Sequence, residues 1–383
     1  MANLENQDGV LAYFIRRFRT IPPFTVRTSP ATVLLIGANT GIGLATAKIL
    51  LSLQGLESLL LTTRSSEKSL QTRQQLEPFR PANVKIRTFE VDLADYNSIR
   101  RFITILNASS QSGGVRPINT AILNAGLMTG TYGLGSQQGR RFELTLQVNF
   151  ISTALLCLLL LPNLRLASRI SFSSSPSRLT ICSSDGHYFA TPLSTLYNSG
   201  DSILGYVSDS CNFSSNNAYL TSKLLGILFG RALSEKLHPA EVLVNMVNPG
   251  IARTELFRDC GWLFRLSMWL LGRSVDVAAG VVVQGALGGE DDGVVHGGFY
   301  SEGRDTKPLS ELFTEYGREL QERLWCETLD VLRAEYEGSS TGALIKVHQD
   351  GLRRRRRRRR GRTMARYGEQ DDEEQDDEEN TDY

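Results

Sequence analysis

From residue 32 the chain alternates short apolar, β-rich runs with longer stretches whose apolar residues recur at helical spacing. Residues 32–36 (TVLLI), 58–63 (SLLLTT), 84–91, 118–123, 179–183 and 242–247 (VLVNMV) read as six strands, and 298–301 as a short seventh. Between them the helical period predicts helices from residue 41 or so to 53, and over 65–75, 95–108, 140–164 and 218–237. Mostly apolar strands alternating with helices predict a parallel sheet covered on both faces. Right-handed crossovers then favour an α/β, Rossmann-like doubly wound sheet. A TIM barrel would need eight similar β/α units, and the long connection after the fifth strand suits it poorly.

The rhythm bounds the domains. Residues 1–30 form a leader ending in Pro22-Pro23 and Pro30, residues 31–345 one α/β domain, and 346–383 a tail. The tail holds eight consecutive arginines at 353–360 and then an acidic run over 369–382. Single-sign blocks cannot bury apolar surface, so the tail is expected to be disordered.

Composition narrows the class. Of 383 residues, 41% are hydrophobic and 22% charged, enough to bury a core. The net charge of +1 argues against a nucleic-acid binder. Ten arginines and ten carboxylates from residue 353 onward cancel each other, so the body is near neutral as well. Five scattered cysteines without a C-x-x-C pair argue against a disulfide framework or metal site and for a reducing, cytoplasmic setting. The N-terminus lacks a signal-peptide pattern, and the longest apolar run, 151–161, is shorter than the roughly 20 residues of a membrane span.

Chemistry enters at the first turn. Gly37-Ala38-Asn39-Thr40-Gly41-Ile42-Gly43 lies between a strand and a helix. Glycines there let the chain turn tightly and let a pyrophosphate approach the free N–H groups of the helix. Arg64 ends the second strand, where an acidic residue would bind the free 2′-hydroxyl of NAD. A guanidinium instead suits the 2′-phosphate of NADP, the alternative being a solvated surface arginine.

Tyr219 and Lys223 stand at i and i+4 on one helix, so both side chains face the same way. A lysine ammonium lowers the pKa of a nearby phenol toward a useful range. Ser183-Ser184 close the fifth strand, at the carboxyl edge where open α/β sheets hold ligands, and a hydroxyl there could bind a substrate carbonyl. Asn124-Ala125-Gly126 end the fourth strand, and Asn149 lies in the apolar helix that follows. A buried amide is costly unless paired, which points to a polar, proton-relaying role or a structural hydrogen bond.

These motifs together resemble the short-chain dehydrogenase/reductase family, in particular retinol-dehydrogenase-like and fungal secondary-metabolite reductases, from about residue 32 to 301. The resemblance implies that GANTGIG is the cofactor turn, that Asp92-Leu93 lie beside the adenine, and that Asn124-Ala125-Gly126 match the NAG motif. It further implies that Asn149, Ser184, Tyr219 and Lys223 are the catalytic tetrad, and that Asn248-Pro249-Gly250 with Thr254 flank the nicotinamide. The implied reaction is NADP-dependent hydride transfer between a nicotinamide and a carbonyl or secondary alcohol, with Tyr219 as proton donor in reduction. Lys223 would also bind the nicotinamide ribose, and Asn149 would help return the proton. A non-catalytic dinucleotide-binding regulator or scaffold is the alternative, and it predicts a broken Tyr/Lys/Ser set.

Two departures stand out. Ile36 replaces the threonine that usually precedes the first glycine, which predicts an unbraced turn and weaker cofactor binding. The gap from Ser184 to Tyr219 is long and carries His187, Tyr188, Tyr197, Tyr206 and Phe213, read as part of a substrate wall, with His187 a loop residue rather than a catalyst. Residues 257–271 (FRDCGWLFRLSMWLL) read as a greasy lid suited to an apolar substrate, with core packing and membrane-surface contact as alternatives. The arginine run suggests tail-driven binding to nucleic acid or anionic membrane, against which stands a solvated, self-neutralised tail. A homodimer is compatible with the pattern.

Overall fold

The computed structural model describes residue 21 and residues 31–135, 141–170, 175–254, 256 and 272–335. The expected lid at 257–271 and the charged tail lie outside the described residues, as does the leader apart from Ile21. The chain divides into two compact units, Met1–Thr328 and Leu329–Tyr383. Of the second unit only the end of one helix, residues 329–335, is described.

The strands are β1 Thr32–Ile36, β2 Ser58–Thr63, β3 Lys85–Glu90, β4 Thr120–Leu123, β5 Ser177–Cys182, β6 Val242–Asn248, β7 Phe299–Ser301 and β8 Arg304–Thr306. They form one sheet in the order β3-β2-β1-β4-β5-β6-β7-β8. All neighbours pair parallel except β7 and β8, which are antiparallel. Strand order reverses between β1 and β4, the switch point at which doubly wound sheets open a crevice. Every residue of β1, β4, β5 and β6 is buried, as both faces are covered.

The helices are α1 Gly41–Leu51, α2 Ser66–Leu76, α3 Tyr96–Gln111, α4 Leu144–Ile170, α5 Leu193–Tyr197, α6 Ile203–Ser208, α7 Ser215–Ser234, α8 Val275–Leu287 and α9 Glu315–Glu335. Helices α1 and α8 pack together on one face, where Ala47, Leu50 and Leu51 meet Val281, Val282 and Ala286 over Val33 and Leu35. Helices α3, α4 and α7 cover the other, with Phe150 edge-on to Phe229 and Phe229 stacked on Trp325. Helix α4 is long and apolar enough to cross a membrane, but 94% of its most apolar window is buried inside the protein. A helix that is apolar all round is what a two-sided core position requires.

Candidate active site

Parallel register brings the predicted residues to one edge. Ile36 aligns with Leu123, Leu123 with Ile181, Cys182 with Val247, and Asn248 with Ser301. The loops leaving these strand ends carry the glycine turn, Asn124-Ala125-Gly126, Ser183-Ser184 and Pro249-Gly250 side by side.

The glycine turn is tightly pinned. Gly37 has a φ of +83°, and the Asn124 Nδ2 donates to its carbonyl at 2.8 Å. A Cβ on Gly43 would run into that same carbonyl and the Asn124 amide, so the α1 N-terminus stays close to the turn only because residue 43 has no side chain. Thr40 caps α1 without a side-chain hydrogen bond, so its hydroxyl does not shield the first N–H groups of the helix. The expected loss of bracing at Ile36 is made good from the next strand: Gly37 N donates to Thr62 Oγ1 at 3.1 Å, and Ala38 N to Thr62 O at 3.2 Å. Thr62 is the Cα partner of Ile36 in the parallel register.

Arg64 is exposed immediately beyond β2, next to Ser65, whose side chain caps α2. After β3, the Asp92 carboxylate accepts the Ala94 N–H at 2.9 Å, while Ser98 accepts the Asp92 N–H at 2.9 Å. Leu93 is buried, and its carbonyl accepts the Ser152 hydroxyl at 2.6 Å. Thr254 packs near Gly41, within 3.3 Å of where a Cβ would be.

The tetrad converges. Asn149 sits in a π-turn, Gln147–Ile151, at the start of α4; such widened turns re-aim a side chain. It is 5% exposed, and both its amide oxygen and its amide nitrogen are paired. Its Oδ1 accepts the Leu127 N–H at 2.8 Å, and its Nδ2 donates to Leu127 O at 2.9 Å and to Ser222 Oγ at 3.0 Å. Lys223, 7% exposed, donates from Nζ to Cys182 O at 3.0 Å and lies 5.7 Å from the Tyr219 ring centroid. A Cβ on Gly126 would stand 3.4 Å from Asn149 Oδ1 and 3.5 Å from Lys223 Nζ, so both groups line the space beside that glycine. The Ser184 side chain lies close enough to the Tyr219 phenol to ease its ionisation. Ser184 Oγ also accepts the Gly186 N–H at 3.0 Å.

Burial governs the charges. It pushes the Tyr219 phenol up to about 12, with the nearby Ser184 side chain pulling the other way. Burial sets the net direction for the phenol, while the Lys223 ammonium gives one of its hydrogens to the Cys182 carbonyl and burial lowers its own affinity for a proton. Burial likewise raises the Cys182 thiol to about 12.

The long gap folds into α5, α6 and short 3₁₀ turns. His187 is buried, with Nε2 accepting the Leu309 N–H at 3.2 Å; Nδ1, 2.8 Å from Ser184 O, is then the protonated nitrogen. It is thus a clamp on the backbone of Ser184. Tyr188 donates to Lys307 O, Tyr197 to Glu319, and Phe213 meets Tyr132 edge-on at 5.5 Å. Thr62 and the His187 clamp are the parts of the site that sequence reasoning missed. Thr62 gave a faint signal as a hydroxyl at a strand end, and Leu309 gave none.

The short chain dehydrogenase family model matches residues 31–200. The short-chain dehydrogenase/reductase phmF of Phaeosphaeria nodorum is 32% identical over 309 residues, spanning 79% of this chain and 87% of that protein. The short chain dehydrogenase virL of Hypocrea virens is 33% identical over 347 residues, spanning 86% and 95%. Among solved structures, the NADPH-bound carbonyl reductase from chicken fatty liver aligns with a TM-score of 0.52 at 19% identity, over 74% of this chain and 96% of that one. That last likeness is one of fold.

Proposed function

Since the chain belongs to the short-chain dehydrogenase/reductase family, whose members are NAD(P)-dependent oxidoreductases, we propose that it uses NADP to reduce a ketone or aldehyde on an apolar small molecule of fungal secondary metabolism. The observation that carries this reading is the meeting of Tyr219 with Ser184 while Lys223 and Asn149 flank Gly126.

The residues fit a dinucleotide. Gly43 lets the turn lie against the α1 N-terminus, where a Cβ would strike the Gly37 carbonyl, and Thr40 leaves the helix end without a side-chain cap. The turn from Gly37 through Asn39, Gly41 and Ile42 would cradle the pyrophosphate, with its negative charge at the helix end. Exposed Arg64 would take the 2′-phosphate, Asp92 and Leu93 would flank the adenine, and Asn124, Ala125, Pro249, Gly250 and Thr254 would border the nicotinamide half. When bound, the nicotinamide supplies the hydride.

The chain supplies the rest. Ser184 Oγ accepts the Gly186 N–H, which fixes the oxygen and leaves its proton to donate to a substrate carbonyl. Tyr219, protonated at neutral pH, can give a proton to the developing alkoxide, and the NADP preference read from Arg64 favours reduction as the working direction. Lys223, fixed by the Cys182 carbonyl, would balance charge as the phenol loses its proton and would reach the nicotinamide ribose. Asn149 would hold the 127–129 segment against α7 and so keep the proton route in register.

The runner-up, a non-catalytic dinucleotide-binding scaffold, expects a broken Tyr/Lys/Ser set, and this set is intact. The test is NADPH oxidation by purified protein against a panel of apolar ketones and aldehydes, with Tyr219→Phe in parallel. Turnover that disappears in Tyr219→Phe while NADPH binding persists supports the mechanism. Turnover that survives the substitution refutes it.

A further inference from the structure

The residue after Ser184 is a carboxylate buried to 4% exposure. A buried carboxylate is costly unless hydrogen-bonded. Asp185 Oδ1 accepts the Ser301 hydroxyl at 2.9 Å. Ser301 Oγ in turn accepts from Asn248 Nδ2 at 2.9 Å, and Asn248 Oδ1 accepts the Gly250 N–H at 3.1 Å. All three side chains are buried, and the chain of bonds crosses from the end of β5 through β7 to the turn after β6. A second fastening holds that turn. Arg273 pairs with Glu302 at 3.3 Å, donates its N–H to Ile251 O at 2.9 Å and accepts the Arg253 N–H at 3.1 Å. Glu302 N also donates to Asn248 O.

We propose that Asp185, Ser301 and Asn248 are positioning residues that lock the serine holding the substrate carbonyl to the turn at residues 249–254, setting the distance and angle of hydride transfer. This rests on the roles proposed above for Ser184 and for that turn. The physical reason is that hydride transfer demands near-contact between two groups carried by separate loops. A misplacement of about 1 Å can cost on the order of a hundredfold in rate without altering what binds. Two loops joined only through the sheet would drift separately; a buried relay of hydrogen bonds, one of them to a carboxylate, makes them one rigid unit.

The test substitutes Ser301→Ala, which deletes the central hydroxyl, and Asp185→Asn, which keeps the Oδ1 acceptor. NADPH affinity is measured by fluorescence titration, and kcat and KM with phenanthrenequinone as the reducible probe. Amide hydrogen exchange is followed over residues 183–189 and 248–254 in protein without substrate. In Ser301→Ala, kcat should fall about ten- to a hundredfold, with KM and NADPH affinity within about threefold. Exchange should quicken at both segments together and not in α1 or α4. Asp185→Asn should recover most of the rate. If Ser301→Ala folds poorly, Asn248→Ser, which removes the Nδ2 donor to Ser301, takes its place in the comparison. A kcat for the relay-breaking variant within twofold of the parent protein, or faster exchange at one segment alone, overturns the proposal. Should the parent protein fail to reduce the probe, the reductase reading is in question, while the exchange experiment still decides whether the two loops are coupled.

Discussion

Replacing Asn149 with alanine removes three hydrogen bonds, one from the Leu127 N–H and two from its own Nδ2. A buried bond of this kind contributes roughly 1 kcal/mol net, and a group left unpaired costs roughly 1–3 kcal/mol. Ser222 retains a partner, since its hydroxyl also donates to Tyr219 O at 2.7 Å. Leu127 is only half-buried, so water can reach part of its stranded backbone. The loss is therefore expected near 3 kcal/mol rather than twice that. In a domain of this size each kcal/mol moves Tm by about 2 °C, so the midpoint should fall by about 6 °C. Thermal unfolding followed by circular dichroism, without cofactor, measures it. Asn149→Asp keeps the acceptor for Leu127 N–H but cannot donate to Leu127 O, and should destabilise as well. Catalysis should fall with stability in both, because the same bonds hold the 127–129 segment against the Tyr219 helix. A midpoint for Asn149→Ala within about 1 °C of the parent would show that the amide does not hold that turn.

Arg64→Leu should weaken NADPH binding about tenfold or more and leave NADH binding unchanged, as expected for loss of one charge-assisted contact, and paired titrations check it. Because burial lowers the Lys223 pKa, rates of reduction should fall along an alkaline limb below pH 10.5, the ordinary lysine value, while Tyr219 remains protonated. Lys223→Arg should carry that limb to higher pH, and a limb that stays put would assign it to another group. Thr62→Val removes the hydroxyl that accepts the Gly37 N–H and should loosen NADPH binding about fivefold with kcat little changed, as a cofactor titration would reveal.

The fold was most legible where apolar runs are short and abruptly bounded. β1 and β2 have the bounds read from the sequence, 32–36 and 58–63, because apolar cores such as VLLI and LLL, covered on both faces, have no polar alternation to blur them. Helix α7 starts at Ser215 rather than 218, since Ser214 accepts the Asn217 N–H and turns a polar segment into the first helical turn. Helix α4 runs to Ile170, past the expected 164, through an internal Pro162. Helix α8 drew no expectation: its VDVAAGVVVQGAL is rich in valine, and tertiary packing against α1 overrides that preference. β8 is three polar residues, Arg304–Thr306, and only its pairing with β7 makes it a strand.

The site shows the same division for a different reason. Tyr219 and Lys223 are legible because the chemistry requires a fixed spacing on one helix, and the glycine turn because its geometry fixes residue types over seven positions. The groups that hold them come from far along the chain, so no spacing announces them. Ile36 is instructive here. An absent hydroxyl at that position suggested a slack turn, yet the turn needs an acceptor at a point in space, not at a point in sequence. Thr62, level with Ile36 on the adjacent strand, meets that need from 26 residues away, and its carbonyl takes the next N–H as well. A parallel register converts a neighbour in the sheet into a substitute for a neighbour in the chain. Departures from a local motif at strand ends should therefore be weighed against the residue paired with them before any loss of binding is inferred.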